Sequence, residues 1–204
     1  VAVGDEAGTA ITTADGTIAI GWSAATAVTT GNNNVAVGSQ SLKATTTGNY
    51  NVAVGYQSLK ANVDGDRNVA IGADALLALD PASNVDMYNV AVGYAAGAAV
   101  TTATDSTFIG GNAGTTATTA SGVTAVGMSA GTALTTGGDN TAVGKQALKT
   151  ATTGTGNTAV GKDALEALET ASYNTAIGFK TLEASTTGTR NVALGAYANQ
   201  EGTT

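Results

Sequence analysis

Along the chain a short string of fixed polarity, aliphatic or Thr, then Ala, then aliphatic, then Gly, returns twelve times. Its glycines are Gly4, Gly21, Gly38, Gly55, Gly72, Gly93, Gly110, Gly127, Gly144, Gly161, Gly178 and Gly195, so ten of the eleven intervals are 17 residues and one is 21. A fixed period of this length marks a repeat array, in which each unit buries its apolar face only against its neighbours. The place before the glycine is β-branched in every unit but the last, Leu194. Such a column predicts a strand, and we expect it to be a buried strand position. The place two before the glycine is Ala in every unit except Phe108. Side chains alternate across a strand, so the aliphatic columns share one face and the Ala column lines the other. Alanine this persistent suggests that something approaches the Ala face closely.

Four places before the glycine stand Asn34, Asn51, Asn68, Asn89, Asn140, Asn157, Asn174 and Asn191. Stacked at the inter-strand spacing of about 4.8 Å, their amides would hydrogen-bond from coil to coil as a ladder. After the glycine a second, shorter apolar segment runs through Ala or Ser and then Leu or Gly, and a Thr pair such as Thr29-Thr30 or Thr135-Thr136 follows. Seventeen residues suit a coil of two strands and two turns. The second segment also tolerates a short helical turn, as in Lys162-Asp163-Ala164-Leu165-Glu166-Ala167-Leu168-Glu169, but about two isolated turns of helix are marginal. The 21-residue interval holds the only proline, Pro81, within residues 79–88. Proline cannot donate to a ladder, so four extra residues there are expected to loop outward and leave the repeat in phase.

The predicted fold is therefore all-β, a parallel β-roll or solenoid of about twelve 17-residue coils forming a single array over residues 1–204. At about 4.8 Å per coil it would be a rod of roughly 55–60 Å. Its coils supply few large aliphatic side chains, which favours oligomerisation through the Ala faces, with a parallel homotrimer as first choice. Val1 enters three places before a repeat glycine and Thr204 stops nine places past the last. We expect a longer parent chain, or end-to-end contacts that cap the roll.

Composition narrows the function classes. The chain has 204 residues with 28 Gly, no Cys and no His, which leaves no thiolate nucleophile, no imidazole-based triad and no Cys or His metal site. A net charge of −7 with only eight scattered basic residues disfavours nucleic acid as partner. Hydrophobic residues at 43% are too many for a disordered chain, and no run of eighteen apolar residues would insert in a membrane as a helix.

The repeat, as in Asn51-Val52-Ala53-Val54-Gly55-Tyr56-Gln57-Ser58-Leu59 and Asn140-Thr141-Ala142-Val143-Gly144-Lys145-Gln146-Ala147-Leu148, resembles the heads of trimeric autotransporter adhesins, the YadA-like heads. It is also similar to Asn-Thr-Ala-Val-Gly repeats of bacterial fibre proteins and phage tail fibres. The resemblance covers essentially the whole chain and implies a left-handed parallel β-roll in a homotrimeric, extracellular fibre that binds surfaces. The period of 17 is longer than is typical of those heads. On this reading the chain is not an enzyme, needs no cofactor or metal, and extends a contact surface from a bacterial cell surface, or as the shaft of a phage tail fibre. A carbohydrate-active solenoid enzyme is the reading from another class.

Candidate sites follow from single columns. Trp22, Tyr56, Tyr94 and Phe179 all sit one place after the glycine, with Met128. Aromatic faces there would bind a glycan or a partner, or pack at a trimer interface. Gly156 to Asp163 nearly spells a phosphate loop but ends in Asp where a hydroxyl is required. Asp64-Gly65-Asp66-Arg67-Asn68 opens like a calcium loop but has Val69 and Ala75 at the places that need Gly and Glu. The carboxylate pairs Asp5-Glu6, Asp64-Asp66 and Glu166-Glu169 read as solvated surface rather than a glycosidase pair. The Thr pairs form a regular ladder, open to O-glycosylation or to ordering of water.

Overall fold

The computed structural model describes residues 1–199; the last five residues of the repeat array, 200–204, lie outside the described residues. Each coil contributes one short strand to a single parallel sheet. In chain order these are β1 (Ala2–Val3), β2 (Ile18–Ile20), β3 (Val35–Val37), β4 (Val52–Val54), β5 (Val69–Ile71) and β6 (Val90–Val92), followed by β7 (Thr107–Ile109), β8 (Thr124–Val126), β9 (Thr141–Val143), β10 (Thr158–Val160), β11 (Thr175–Ile177) and β12 (Val192–Leu194). The strands lie side by side in sequence order, each in register with the equivalent residues one repeat on: Ala36 pairs Ala53, and Ala142 pairs Ala159. The chain is thus a β-solenoid with a rise of one strand per repeat. Val69 pairs Val90 across the long interval, so the extra residues leave the register intact. Leu79, Pro81 and Met87 are buried there while residues 82–86 are exposed.

The faces of the sheet are the reverse of the sequence expectation. The Ala column points inward: Ala19, Ala36, Ala53, Ala70, Ala91, Ala125, Ala142, Ala159 and Ala176 are all fully buried. The β-branched columns point out, with Ile20, Ile71, Ile109 and Ile177 between 39% and 42% exposed. The reason is the width of the coil. Leu42, Leu59, Leu76, Leu148, Leu165 and Leu182, four places after the glycine, are buried against the strand from the opposite side, together with Val28, Leu79, Val100, Leu134 and Leu168 three places further on. These side chains fill the interior and leave the strand room for a methyl group only. A homotrimer joined through this Ala face is therefore excluded by burial of that face within each protomer.

The second segment of the coil is not a strand. It is a run of turns in which the second and fourth residues after each glycine are left-handed, as Gln57 (φ 55) and Leu59 (φ 48) are. Among the described residues there is no helix either. Alternating left-handed residues bend the backbone enough to close a 17-residue coil, while their N–H and C=O groups still pair between coils: Gln57 N donates to Ser39 O at 3.0 Å and Leu59 N to Ala75 O at 3.0 Å. A left-handed Leu costs about 1–2 kcal/mol, which full burial of the side chain, about 1.5–3 kcal/mol, offsets. Where Gly8, Gly97, Gly114 and Gly131 take this place the strain is absent and so is the core side chain.

The Asn column runs inside the coil, with Asn34, Asn51, Asn68, Asn89, Asn140, Asn157 and Asn174 fully buried. Each Oδ1 accepts the backbone N–H of the next Asn: Asn34 from Asn51 at 2.9 Å, Asn51 from Asn68 at 3.0 Å, Asn157 from Asn174 at 2.9 Å and Asn174 from Asn191 at 3.0 Å. The amide Nδ2 donates back to main chain, Asn51 to Gly65 O at 2.8 Å and Asn157 to Ala171 O at 2.9 Å. Ser106 carries the line on where Asn is absent: its N–H donates to Asn89 Oδ1 at 3.1 Å, and its Oγ accepts from Val123 N at 3.1 Å. Asn157→Asp puts a carboxylate against Ala171 O and Asn140 Oδ1, where an amide now donates. It is expected to cost about 2 kcal/mol at pH 7. Burial raises the pKa of the new carboxyl, so the deficit should shrink as pH falls through that raised value. A deficit that does not change between pH 7 and pH 4 in urea melts would contradict this placement.

Candidate functional site

The outer surface is organised in columns that run along the rod. The sheet face carries the first and third residues before each glycine, 24 positions occupied by Val, Ile, Leu or Thr and by no charge. At the corner that follows the strand lies the aromatic column. Trp22 is 49%, Tyr56 51%, Tyr94 62% and Met128 50% exposed. Phe179 shares the column but not the environment. Its ring has Lys162 Nζ at 5.1 Å and Lys180 Nζ at 5.9 Å, and it meets Tyr197 edge to face at 5.2 Å. Trp22, Tyr56 and Tyr94 are thus exposed, Trp22 with Lys43 Nζ 5.9 Å from its ring centre, whereas Phe179 is flanked by two lysines and a second ring.

At the opposite corner, five residues before the glycine, is a second column that residue-by-residue reading missed. The Arg67 guanidinium stands 4.7 Å from the Tyr50 ring and 6.0 Å from that of Tyr88, and Arg190 stands 5.8 Å from Tyr173. Arg67 Nε donates to Asp86 Oδ1 at 2.6 Å and the Tyr88 hydroxyl to Asp86 Oδ2 at 2.9 Å. The Tyr88 hydroxyl, and then Arg67, hold the Asp86 carboxyl below its ordinary pKa, while the same hydrogen bonds to Asp86 raise Tyr88 and Arg67. The column residues Tyr50, Arg67, Tyr88, Tyr173 and Arg190 are left-handed. The signal was available: Gly16, Asn33, Asp105, Gly122, Asp139 and Gly156 share the place, and Gly, Asn and Asp together denote that backbone.

One acidic cluster is paired with lysines. Asp163, Glu166 and Glu183 bring carboxylate oxygens within 4.8 Å of one another, as ligands of a cation would. Lysines fill that role instead: Lys162 Nζ lies 2.7 Å from Asp163 Oδ2, Lys149 Nζ 3.1 Å from Glu166 Oε1 and Lys180 Nζ 2.6 Å from Glu183 Oε1. The hydrogen bond to Glu183 raises the Lys180 pKa, with a smaller contribution from the charge of Asp163. Asp163 Oδ1 is buried without a hydrogen-bond partner. The calcium-like segment is likewise committed between coils, since Asp64 Oδ1 accepts from the Thr47 hydroxyl at 2.6 Å and Asp66 Oδ1 from Asn49 N at 2.7 Å. The phosphate-loop string is interrupted by strand β10, so its amides face neighbouring strands and cannot wrap a phosphate.

Two further surfaces complete the inventory. Lys43 and Lys60 line a shallow depression of about 580 Å³ floored by Ala44, Ala61, Leu77 and Ala78. In several Thr pairs the first hydroxyl is used within the rod, as Thr118 Oγ1 donates to Thr135 O at 3.0 Å and Thr135 Oγ1 to Thr152 O at 3.1 Å. The second, as in Thr119, Thr136 and Thr153, is exposed. Comparison of the chain with protein-family models, with curated proteins and with solved structures gives no match.

Proposed function

We propose that this chain is a non-enzymatic segment of an extracellular fibre, a left-handed β-roll assembled as a parallel homotrimer, which extends and presents a contact surface for attachment. The observation that carries the reading is the uncharged, β-branched face on the outside of the twelve-stranded sheet. A strip about 53 Å long and about 10 Å wide is roughly 500 Å², near the upper bound for an apolar patch that a monomer leaves in water. Parallel copies packed about a common axis would cover it along its whole length. The interface then lies on the Val and Ile columns, not on the alanines. The resemblance of the repeat to adhesin heads supports attachment to a cell or host surface. The Asn-Thr-Ala-Val-Gly strings at residues 140–144 and 157–161 favour, as second reading, the shaft of a phage tail fibre, which needs the same rod. Against a solenoid hydrolase stands the pairing of Asp163, Glu166 and Glu183 with lysines.

Light scattering of the purified chain tests the assembly. A mass near 59 kDa is expected, three times the 19.7 kDa of the chain. The double variant Val37→Lys, Val126→Lys places charge on the sheet face and should yield monomer. A wild-type mass near 19.7 kDa would sink the trimer, and a variant that stays trimeric would move the interface off the sheet.

A further inference from the structure

The exposed aromatic residues are not scattered along their column. Trp22, Tyr56, Tyr94 and Met128 occupy the second, fourth, sixth and eighth coils, and the coils between them carry Ser39, Ala73 and Gly111 at the same place. With in-register strands about 4.8 Å apart, successive rings recur every two coils, about 9.6 Å. The small residues between them would let each ring lie along the surface with its face toward a ligand. The row runs parallel to the rod, at the corner beyond the sheet, so it stays accessible when the sheet face is covered.

An extended β-1,4-linked polysaccharide presents the same sugar face every second ring, at a disaccharide length close to that two-coil spacing. Its pyranose rings have apolar C–H faces, which pack on aromatic rings through dispersion and the ring quadrupole. A stiff linear polymer also loses little freedom on lying along a rigid row. We propose that Trp22, Tyr56 and Tyr94 form a linear binding platform for a β-1,4-linked glycan chain of the cellulose or chitin type. The assignment rests on the surface-contact reading above and names its ligand class. Flanking groups suit a neutral polyhydroxy ligand: the Gln57 amide, 3.0 Å from the Tyr56 hydroxyl and 3.0 Å from Gln40 Oε1, lies beside the row. Lys43 Nζ lies over the Trp22 ring, 5.9 Å from its centre, and its flexible side chain would swing aside for a sugar seated there. Phe179 is outside the platform, being packed between Lys162, Lys180 and Tyr197.

The test is depletion of the purified chain from solution by microcrystalline cellulose, by chitin and by the α-linked polymer amylose. Depletion by cellulose or chitin, and not by amylose, is expected, and the preferred solid identifies the sugar. Trp22→Ala, Tyr56→Ala, Tyr94→Ala combined should weaken binding about a hundredfold. The decisive variant is Tyr56→Ala with Ala73→Tyr, which keeps three rings but breaks their spacing, and it should bind no better than Tyr56→Ala alone. Each variant is compared at unchanged melting temperature and mass. No depletion of the wild-type chain by either β-linked solid, wild-type binding by the triple variant, or wild-type binding by the respaced variant would each overturn the platform. A monomeric mass with spacing-dependent binding would remove the trimer and leave the platform standing; a trimer that ignores both solids would do the opposite.

Discussion

Gly55→Ala is expected to destabilise the rod by at least ~4 kcal/mol, an effect seldom reached by adding one methyl group. Gly55 has φ +136, and a Cβ there would stand 2.5 Å from Gly72 O and 2.6 Å from Gly72 C. Those atoms are main chain, and the coil that carries them is tied to the next, Gly93 N donating to Ile71 O at 2.8 Å, so it cannot yield without moving its neighbour. The left-handed conformation adds about 1–3 kcal/mol of strain to the overlap. Because coils stabilise one another only through nearest-neighbour contacts, the damage should appear as an early, separate step in the urea unfolding curve followed by circular dichroism. Gly111→Ala is the control. Gly111 has no positive φ and no atom within 4 Å of the added Cβ, so its change should lie within about 0.5 kcal/mol. Equal stability of the two variants would refute the close stacking of coils through the glycine column.

Phe108→Ala should cost about 4 kcal/mol, although Ala is what every other coil has at that place. Phe108 is fully buried and fills space that leucines fill elsewhere. Its ring stands over Gly97 and Gly114: a Cβ on Gly97 would lie 2.9 Å from Phe108 Cδ2, and one on Gly114 would overlap Cδ1 and Cε1. Truncating the ring therefore leaves a cavity that no neighbour is placed to fill. Gly114→Leu on its own overfills the same site and should also destabilise. Combined, the two changes restore the Ala and Leu pairing of coils such as that of Ala53 and Leu59, and the double variant should recover most of the loss. Thermal melts of the four proteins give the coupling. Simple additivity of the two penalties would show that Phe108 and Gly114 do not share one space.

Much of this molecule is written in the columns of its sequence. Period, strand position and register follow from recurrence, because equivalent residues of an array must stack. The Asn column was readable from composition alone, since a polar residue kept at one place beside a strand must find partners within the coil. The amide-to-amide bonds it predicts are present, as Asn68 Nδ2 donates to Asn51 Oδ1 at 3.1 Å, and main-chain bonds add to them, with Asn51 Oδ1 taking the Asn68 N–H and Asn51 Nδ2 reaching Gly65 O. The turn-rich second segment was less legible. Leu42 and Leu59 look like ordinary core residues, and their left-handed backbone is betrayed only by Gly97 and Gly114 at the same place in other coils. The aromatic column could be located but not graded. Whether Tyr94 is open and Phe179 enclosed depends on Lys162, Lys180 and Tyr197, which converge from three coils.

By itself the sequence determined that twelve units recur at a period marked by glycine and stack in register, with one face of each strand alanine and the other β-branched. Only the tertiary structure decided which of those faces is the inside. Alternation along a strand separates two faces but does not orient them; the choice depends on how much space the rest of the coil leaves. Here the buried leucines and the alternating left-handed turns of the second segment take nearly all of it. The methyl groups of alanine fit in what remains, and the valines and isoleucines are left on the outer surface, where they set the problem of what covers them.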